Sequence, residues 1–153
     1  MRAIGARVAP SCLAVSTLLC SLLLWSPAPA RADGGTLILR EERGGRIVSL
    51  IAEPTPLRAG PVGLEVLVQS RETGQPILSG DVRLRLHGPD AGVPLEVTAR
   101  AEAAANRLFR AARVELPIPG PWQIEVWVAG PDGGETFRAQ LEVAPPPGQA
   151  PCA

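Results

Sequence analysis

Lysine and tyrosine are absent from this 153-residue chain, phenylalanine occurs twice, tryptophan three times, and histidine and methionine once each. Metal sites built by proteins need several convergent imidazole, thiolate or thioether groups. One histidine, His87, and an initiator methionine do not supply them. The three cysteines are Cys12, Cys20 and Cys152. The first two fall in an N-terminal stretch that reads as a removable leader. Cys152 is then left without an internal partner, so the fold has no internal disulfide and must rest on its core. Cys152 is therefore expected to be a thiol free for an intermolecular disulfide. Every basic residue is arginine. With sixteen glycines and seventeen prolines, this matches the coding bias of a GC-rich bacterial genome rather than a binding signal.

The leader has the three parts of a secretory signal. Arg2 and Arg7 are its basic start, Leu13–Trp25 its apolar run, and Ala28-Pro29-Ala30 and Ala30-Arg31-Ala32 offer small residues for cleavage. Cleavage is placed after Ala32, with Ala30 as the competing site. An uncleaved anchor is the alternative, but the apolar run is short for a span of about 20 residues and holds Ser16, Thr17 and Ser21. Thr17-Leu18-Leu19-Cys20 is not a lipidation box, because Leu19 is too large before the cysteine and the run stays apolar afterwards. Residues 1–32 are thus a signal peptide, 33–144 one domain, and 145–153 a Pro-rich extended tail. No transmembrane helix is expected after cleavage, and the destination is the periplasm or the exterior of a bacterial cell.

Removing Arg2, Arg7 and Arg31 leaves twelve arginines against fifteen acidic residues, a net charge of −3. That balance argues against nucleic acid and against anionic membrane surfaces.

What is present is alternation. In Pro119–Val128, Trp122, Ile124, Val126 and Val128 fall two apart on one strand face, while Gln123, Glu125 and Trp127 take the other. Pro119, Gly120 and Pro121 set the strand's start. Trp122 is the largest apolar group available, and the other strands are expected to pack around it. Similar runs occur at Thr36–Glu41 (Leu37 and Leu39 on one face), Ile47–Glu53, Val62–Gln69, Asp81–His87, Leu95–Arg100, Leu108–Leu116 and Glu135–Val143, with a short apolar piece at Ile77-Leu78. Arg43-Gly44-Gly45-Arg46 and Pro131-Asp132-Gly133-Gly134 read as hairpin turns. Pro54-Thr55-Pro56 reads as a crossing between sheets. Ala101–Ala105 reads as a loop or a strand continuation. About nine short strands without a convincing helix define an all-β chain, an immunoglobulin-like antiparallel β-sandwich.

Catalytic patterns are sparse. Ser49, Ser70 and Ser79 lie outside any G-x-S-x-G elbow, and a hydrolase using one of them with His87 is the weakest functional reading. Glu41 and Glu42 point to opposite strand faces. His87 ends a polar strand face, with Asp81 and Asp90 as the nearest helpers for a metal; a structural or solvated histidine is the simpler reading, because metal sites need several convergent groups. Trp127 is a partner-surface candidate because it faces away from the core; cover by the tail or by the Thr36–Glu53 hairpin is the alternative. No cofactor is expected.

The order Ile47–Glu53, Pro54–Pro61, Val62–Gln69, a strand at Asp81–Leu86, then Ala103–Phe109 and Pro119-Gly120-Pro121-Trp122 resembles the YtkA-like secreted bacterial domains. These are related in style to FixH-like and CopC-like sandwiches. The resemblance spans most of Gly35–Val143. It implies an immunoglobulin-like fold outside the cytoplasm, sometimes near respiratory or copper-handling machinery, and no established activity. CopC-like copper sites use several histidines or methionines, whereas this mature chain has His87 alone and no methionine. The expected role is a non-enzymatic exported module that binds an envelope protein, with a copper-handling respiratory accessory as the alternative.

Overall fold

A computed structural model of the protein describes residues 35–148 apart from 91 and 132. The expected signal peptide, Cys152 and the end of the Pro-rich tail lie outside the described residues. Eight strands run in chain order: β1 (Thr36–Arg43), β2 (Arg46–Glu53), β3 (Gly60–Ser70), β4 (Val82–His87), β5 (Leu95–Ala99), β6 (Arg110–Leu116), β7 (Gly120–Val128) and β8 (Glu135–Val143). They form two four-stranded sheets, β1-β2-β3-β6 and β5-β4-β7-β8, with every ladder between named strands antiparallel. The chain changes sheet between β3 and β4, between β5 and β6, and again between β6 and β7. This is an immunoglobulin-like β-sandwich.

Period-two alternation explains the core. Val48 and Leu50 on β2, and Leu64 and Val66 on β3, face Leu84 and Leu86 on β4 and Ile124 and Val126 on β7, all essentially inaccessible to water. Two hydrogen-bonded corners tie the sheets together. Arg100 and Ala111 exchange backbone bonds of 2.8 and 2.9 Å, and Ala144 bonds Leu57 and Ala59 at 2.9 and 2.8 Å. The β1–β2 turn is closed by Gly44 and Gly45 at φ +55° and +77°. A two-residue hairpin of this hand needs φ above zero at both central positions, which glycine adopts at no steric cost.

Trp122 is only 3% exposed, and its indole Nε1 donates to the Ile118 carbonyl at 3.0 Å. It packs under Gly88, where a Cβ would come within 3.1 Å of the ring. Trp122 therefore plugs the end of the sandwich where β4 finishes and β7 begins. Phe137, fully buried, heads the largest side chains deep in the core.

Five local expectations are corrected. Leu37 and Leu39 do not share a face: a bulge between them pairs Leu37 with Ile51 and Leu39 with Leu50. Leu39 packs on the core, while Leu37 is left 55% exposed. A bulge adds one residue and so inverts the alternation that sequence shows. Pro54–Pro56 is not a crossing. The chain returns in the same sheet, because β2 needs a second neighbour and β3 supplies one from Arg46↔Ser70 to Glu53↔Gly63. Ile77-Leu78 is no strand: Ile77 packs against the core from a loop, so the described strands number eight. The β6 ladder starts at Arg110 rather than Leu108, because Leu108 and Phe109 belong to a turn that Asn106 holds through its side chain and carbonyl. Ala101–Ala103 forms a single 3-10 turn. No helix among the described residues is long and apolar enough to cross a membrane.

Trp122→Ala is expected to cost roughly 3–5 kcal/mol through lost burial and the cavity left. Trp127→Ala should cost clearly less, because its half-buried ring lies on the outer face against Arg83 and Gly134 rather than in the core. Urea unfolding of both variants checks the ranking; equal losses would contradict the assignment of faces.

Candidate functional site

The outer face of sheet β5-β4-β7-β8 carries His87 and Trp127, and strand register arranges it in rows. Arg83 stands opposite Trp127, which stands opposite Thr136. The next row reads Glu96, Arg85, Glu125, Arg138 across four strands. The third reads His87, Gln123, Gln140.

The middle row alternates in charge. Arg85 meets Glu96 at 2.7 Å, and Arg138 Nε donates to Glu125 at 2.8 Å. The Arg138 hydrogen bond holds the Glu125 carboxyl below the usual carboxylate range, against partial desolvation; the charges of Arg138, His87 and Arg85 act in the same direction as the bond. Exposed pairs of this kind contribute little individually, but they neutralise the face. Trp127 does face away from the core. Its ring lies against Gly134, where a Cβ would come within 2.7 Å of the indole, and the Arg83 guanidinium stacks 4.7 Å from its centroid. Arg83 and the glycine backbone therefore cover a ring that sequence left open to a partner. Beside it runs a shallow groove of about 580 Å³, lined by Arg83, Arg85, Glu96, Thr98 and Trp127.

His87 stands at the end of β4 opposite Gln123. Asp81 is at the other end of that strand and pairs with Arg83 at 3.8 Å. Among the described residues, no three His, Cys, Asp or Glu side chains converge as a metal would require. The serines are not brought to His87 either. Ser49 is on the outward side of the opposite sheet, buried beneath Arg40 Nη1 at 3.4 Å, so a sandwich about 10 Å thick intervenes. Ser79 precedes β4 and Ser70 ends β3 at the far end of the sandwich. The length of β4, about 16 Å at 3.3 Å per residue, lies between Ser79 and His87.

Sheet β1-β2-β3-β6 has a hollow on its outer face. Glu53, Gly63, Glu65, Ala104 and Arg113 line about 280 Å³ beside the 3-10 turn. The Glu53 side chain lies across Gly63, where a Cβ would approach it to 2.8 Å. Partial burial, and secondarily the Glu53 charge, raise the Glu65 carboxyl above its usual range.

The remaining exposed apolar side chains concentrate on loops. The far ends of β2, β3, β4 and β7 meet where Arg46 Nη1 donates to the Ala129 carbonyl at 2.7 Å, Ala129 N to the Asp81 carbonyl at 2.9 Å, and Arg71 N to the Gly45 carbonyl at 2.9 Å. The β3–β4 loop, which leaves this end, presents Leu78, 62% exposed, and the β5–β6 segment presents Leu108, 44% exposed. Arg110 Nη1 donates to the Ile77 carbonyl at 3.3 Å and joins the two segments. Neither Leu78 nor Arg110 was singled out by motif. Arg110 had a signal, since it shares the inward phase of Ala112, Val114 and Leu116.

These features define a small β-sandwich domain of immunoglobulin type with a polar, self-paired sheet face and an apolar-tipped loop end. No protein-family model matches the sequence, and no curated protein matches it. Solved structures of similar fold include FetP from a uropathogenic E. coli strain, expressed in the periplasm of E. coli. It has a TM-score of 0.58 and 12% identity, over 71% of this chain and 95% of that one. The soluble domain of PmoD from a Methylocystis species gives 0.49 and 10%, over 70% and 98%. The PKD domain of human SorCS2 gives 0.38 and 14%, over 97% of each. At 12% identity the FetP likeness speaks for the fold alone.

A carboxyl whose folded-state pKa is raised favours folding while protonated and opposes it once ionised. Glu65→Gln is expected to raise the melting temperature at neutral pH. The gain should vanish below the usual carboxylate range, where Glu65 is itself neutral. Melting curves from about pH 3 to about pH 8 check this; a gain independent of pH would contradict it.

Proposed function

We propose that this chain is an exported, non-enzymatic β-sandwich module of the bacterial envelope, YtkA-like in kind, that binds another envelope protein. The observation that carries this role is the pair of exposed leucines, Leu78 and Leu108, on two loops joined by the Arg110 bond to the Ile77 carbonyl. Apolar side chains held out on ordered loops favour a partner that removes them from water. The charged row of the outer sheet face, in contrast, is satisfied within itself. The leader sequence supports export, and the periplasmic expression of FetP, alike in fold, is consistent with that compartment.

A copper-handling accessory is the second reading, favoured by the resemblance to YtkA-like and CopC-like sandwiches. The donor set among the described residues does not fit a protein-held copper ion: one imidazole stands opposite Gln123, and no set of three ligating groups includes it. Any copper role would then run through a partner that holds the metal.

Affinity capture from envelope extract separates the readings. The wild-type protein is expected to retain one defined envelope protein, and Leu78→Asp with Leu108→Asp is expected to lose it while keeping the same melting curve. Equal capture by both would contradict the loop-end assignment. Stoichiometric copper retained after desalting, and lost in His87→Ala, would put the copper role first.

A further inference from the structure

Arg110 opens β6 on its core-facing side, opposite fully buried Val66 and in phase with Ala112 and Leu116. A cation is out of place there. Its residue is 8% exposed, and among the described residues its hydrogen-bond partner is the Ile77 carbonyl at 3.3 Å. A guanidinium has five N–H donors. The five ion pairs among the described residues use Arg43, Arg71, Arg83, Arg85 and Arg138, and none involves Arg110. None of the Arg110 nitrogens is among the buried side-chain atoms left without a partner in the described residues, so the fork keeps a side on which a further group can bond, and no acid of the described residues pairs with it.

The surroundings say what kind of group would match it. The residue after Ile77 is Leu78, and Leu108 lies two positions before Arg110; both leucines are exposed. The β5–β6 segment from Arg100 to Arg110 holds three arginines and one acid, Glu102, although the mature chain is acidic overall. In the facing β3–β4 loop, Arg71 is engaged by Glu42 at 3.1 Å and Asp81 by Arg83 at 3.8 Å, which leaves Glu72 as its one acid outside an ion pair. A planar guanidinium with an exposed leucine close by in each of the two joined segments suits a carboxylate, which it can grip with two parallel bonds, carried on an apolar stretch.

We propose that Arg110, flanked by Leu78 and Leu108, is the anchor that receives an aspartate or glutamate side chain from an acidic, apolar-flanked segment of the partner protein. This rests on the binding role given above and specifies its chemistry. The strand start fixes the Arg110 backbone, the Ile77 carbonyl orients its fork, and the leucines exclude water from the ion pair once the partner is seated.

The test uses the exported, processed protein labelled with ¹⁵N and two blocked tripeptides, acetyl-Leu-Asp-Leu-amide and its Asn counterpart. The Asp peptide is expected to move the Arg110 Nε–Hε signal and the Leu78 and Leu108 amides saturably. The Asn peptide should bind at least tenfold more weakly. Arg110→Gln should abolish the difference between the peptides. Because a core-facing substitution can also weaken folding, Leu78→Ser with Leu108→Ser provides a surface variant: it should keep the wild-type melting curve and lose severalfold in Asp-peptide affinity. Equal binding of both peptides, shifts confined to Arg100 or Arg107, or no saturable shift at Arg110 would overturn the proposal. A partner captured from envelope extract equally by wild type and by Arg110→Gln would remove the anchor while leaving the binding role. Failure of the wild type to capture any partner would remove the role itself.

Discussion

Burial of two alternating apolar faces against each other is the interaction on which this structure depends. No cysteine lies among the described residues, so no disulfide within them shares the load. Each of the four interior strands contributes a run of Val, Leu or Ile at every second position, and the sheets meet along those runs. Everything polar follows from that commitment. Once Leu84, Ile124 and their neighbours face inward, Arg85, Glu125 and Arg138 must face outward together, and the ladder register brings opposite charges side by side. The same logic places Trp122 in and Trp127 out, although five positions separate them.

The strands were legible because period two is a strong signal in a chain with few competing patterns. Trp122, Ile124, Val126 and Val128 are all buried, as their spacing requires. What escaped was non-local. Nothing around Leu37 announces that β1 gains a residue against β2, since a bulge is decided by the partner strand. Pro54 and Pro56 restrict local geometry but do not say which sheet the chain rejoins; the unpaired edge of β2 decides that. The functional surface was less legible than the fold. Trp127 drew attention as an outward aromatic, but Arg83 sits directly across the ladder and stacks on it, a pairing visible only once β4 and β7 are registered. His87, weighed as a weak metal candidate for its rarity, stands opposite Gln123 in the ladder. Leu78 looked like part of a strand and is a loop tip.

The resulting division of labour is spatial. Sheet faces provide stability and solubility through the buried core on one side and paired charges on the other. One end of the sandwich is plugged by Trp122 under Gly88. The opposite end gathers the β1–β2 turn, the β3–β4 loop and the β7–β8 turn, and Arg110 of the β5–β6 segment joins that loop through the Ile77 carbonyl. Sandwich domains that bind through loops use one such end, because a rigid framework holds several loops in fixed relation while leaving their tips free to vary.

Site-specific photo-crosslinking in living cells tests that division most directly. A photoreactive side chain is introduced singly at Leu78, at Leu108, and at Gln140 on the outer sheet face. The account predicts a shared, defined adduct with one envelope protein from Leu78 and Leu108 and none from Gln140. An adduct from Gln140 alone would place binding on the sheet face and contradict it.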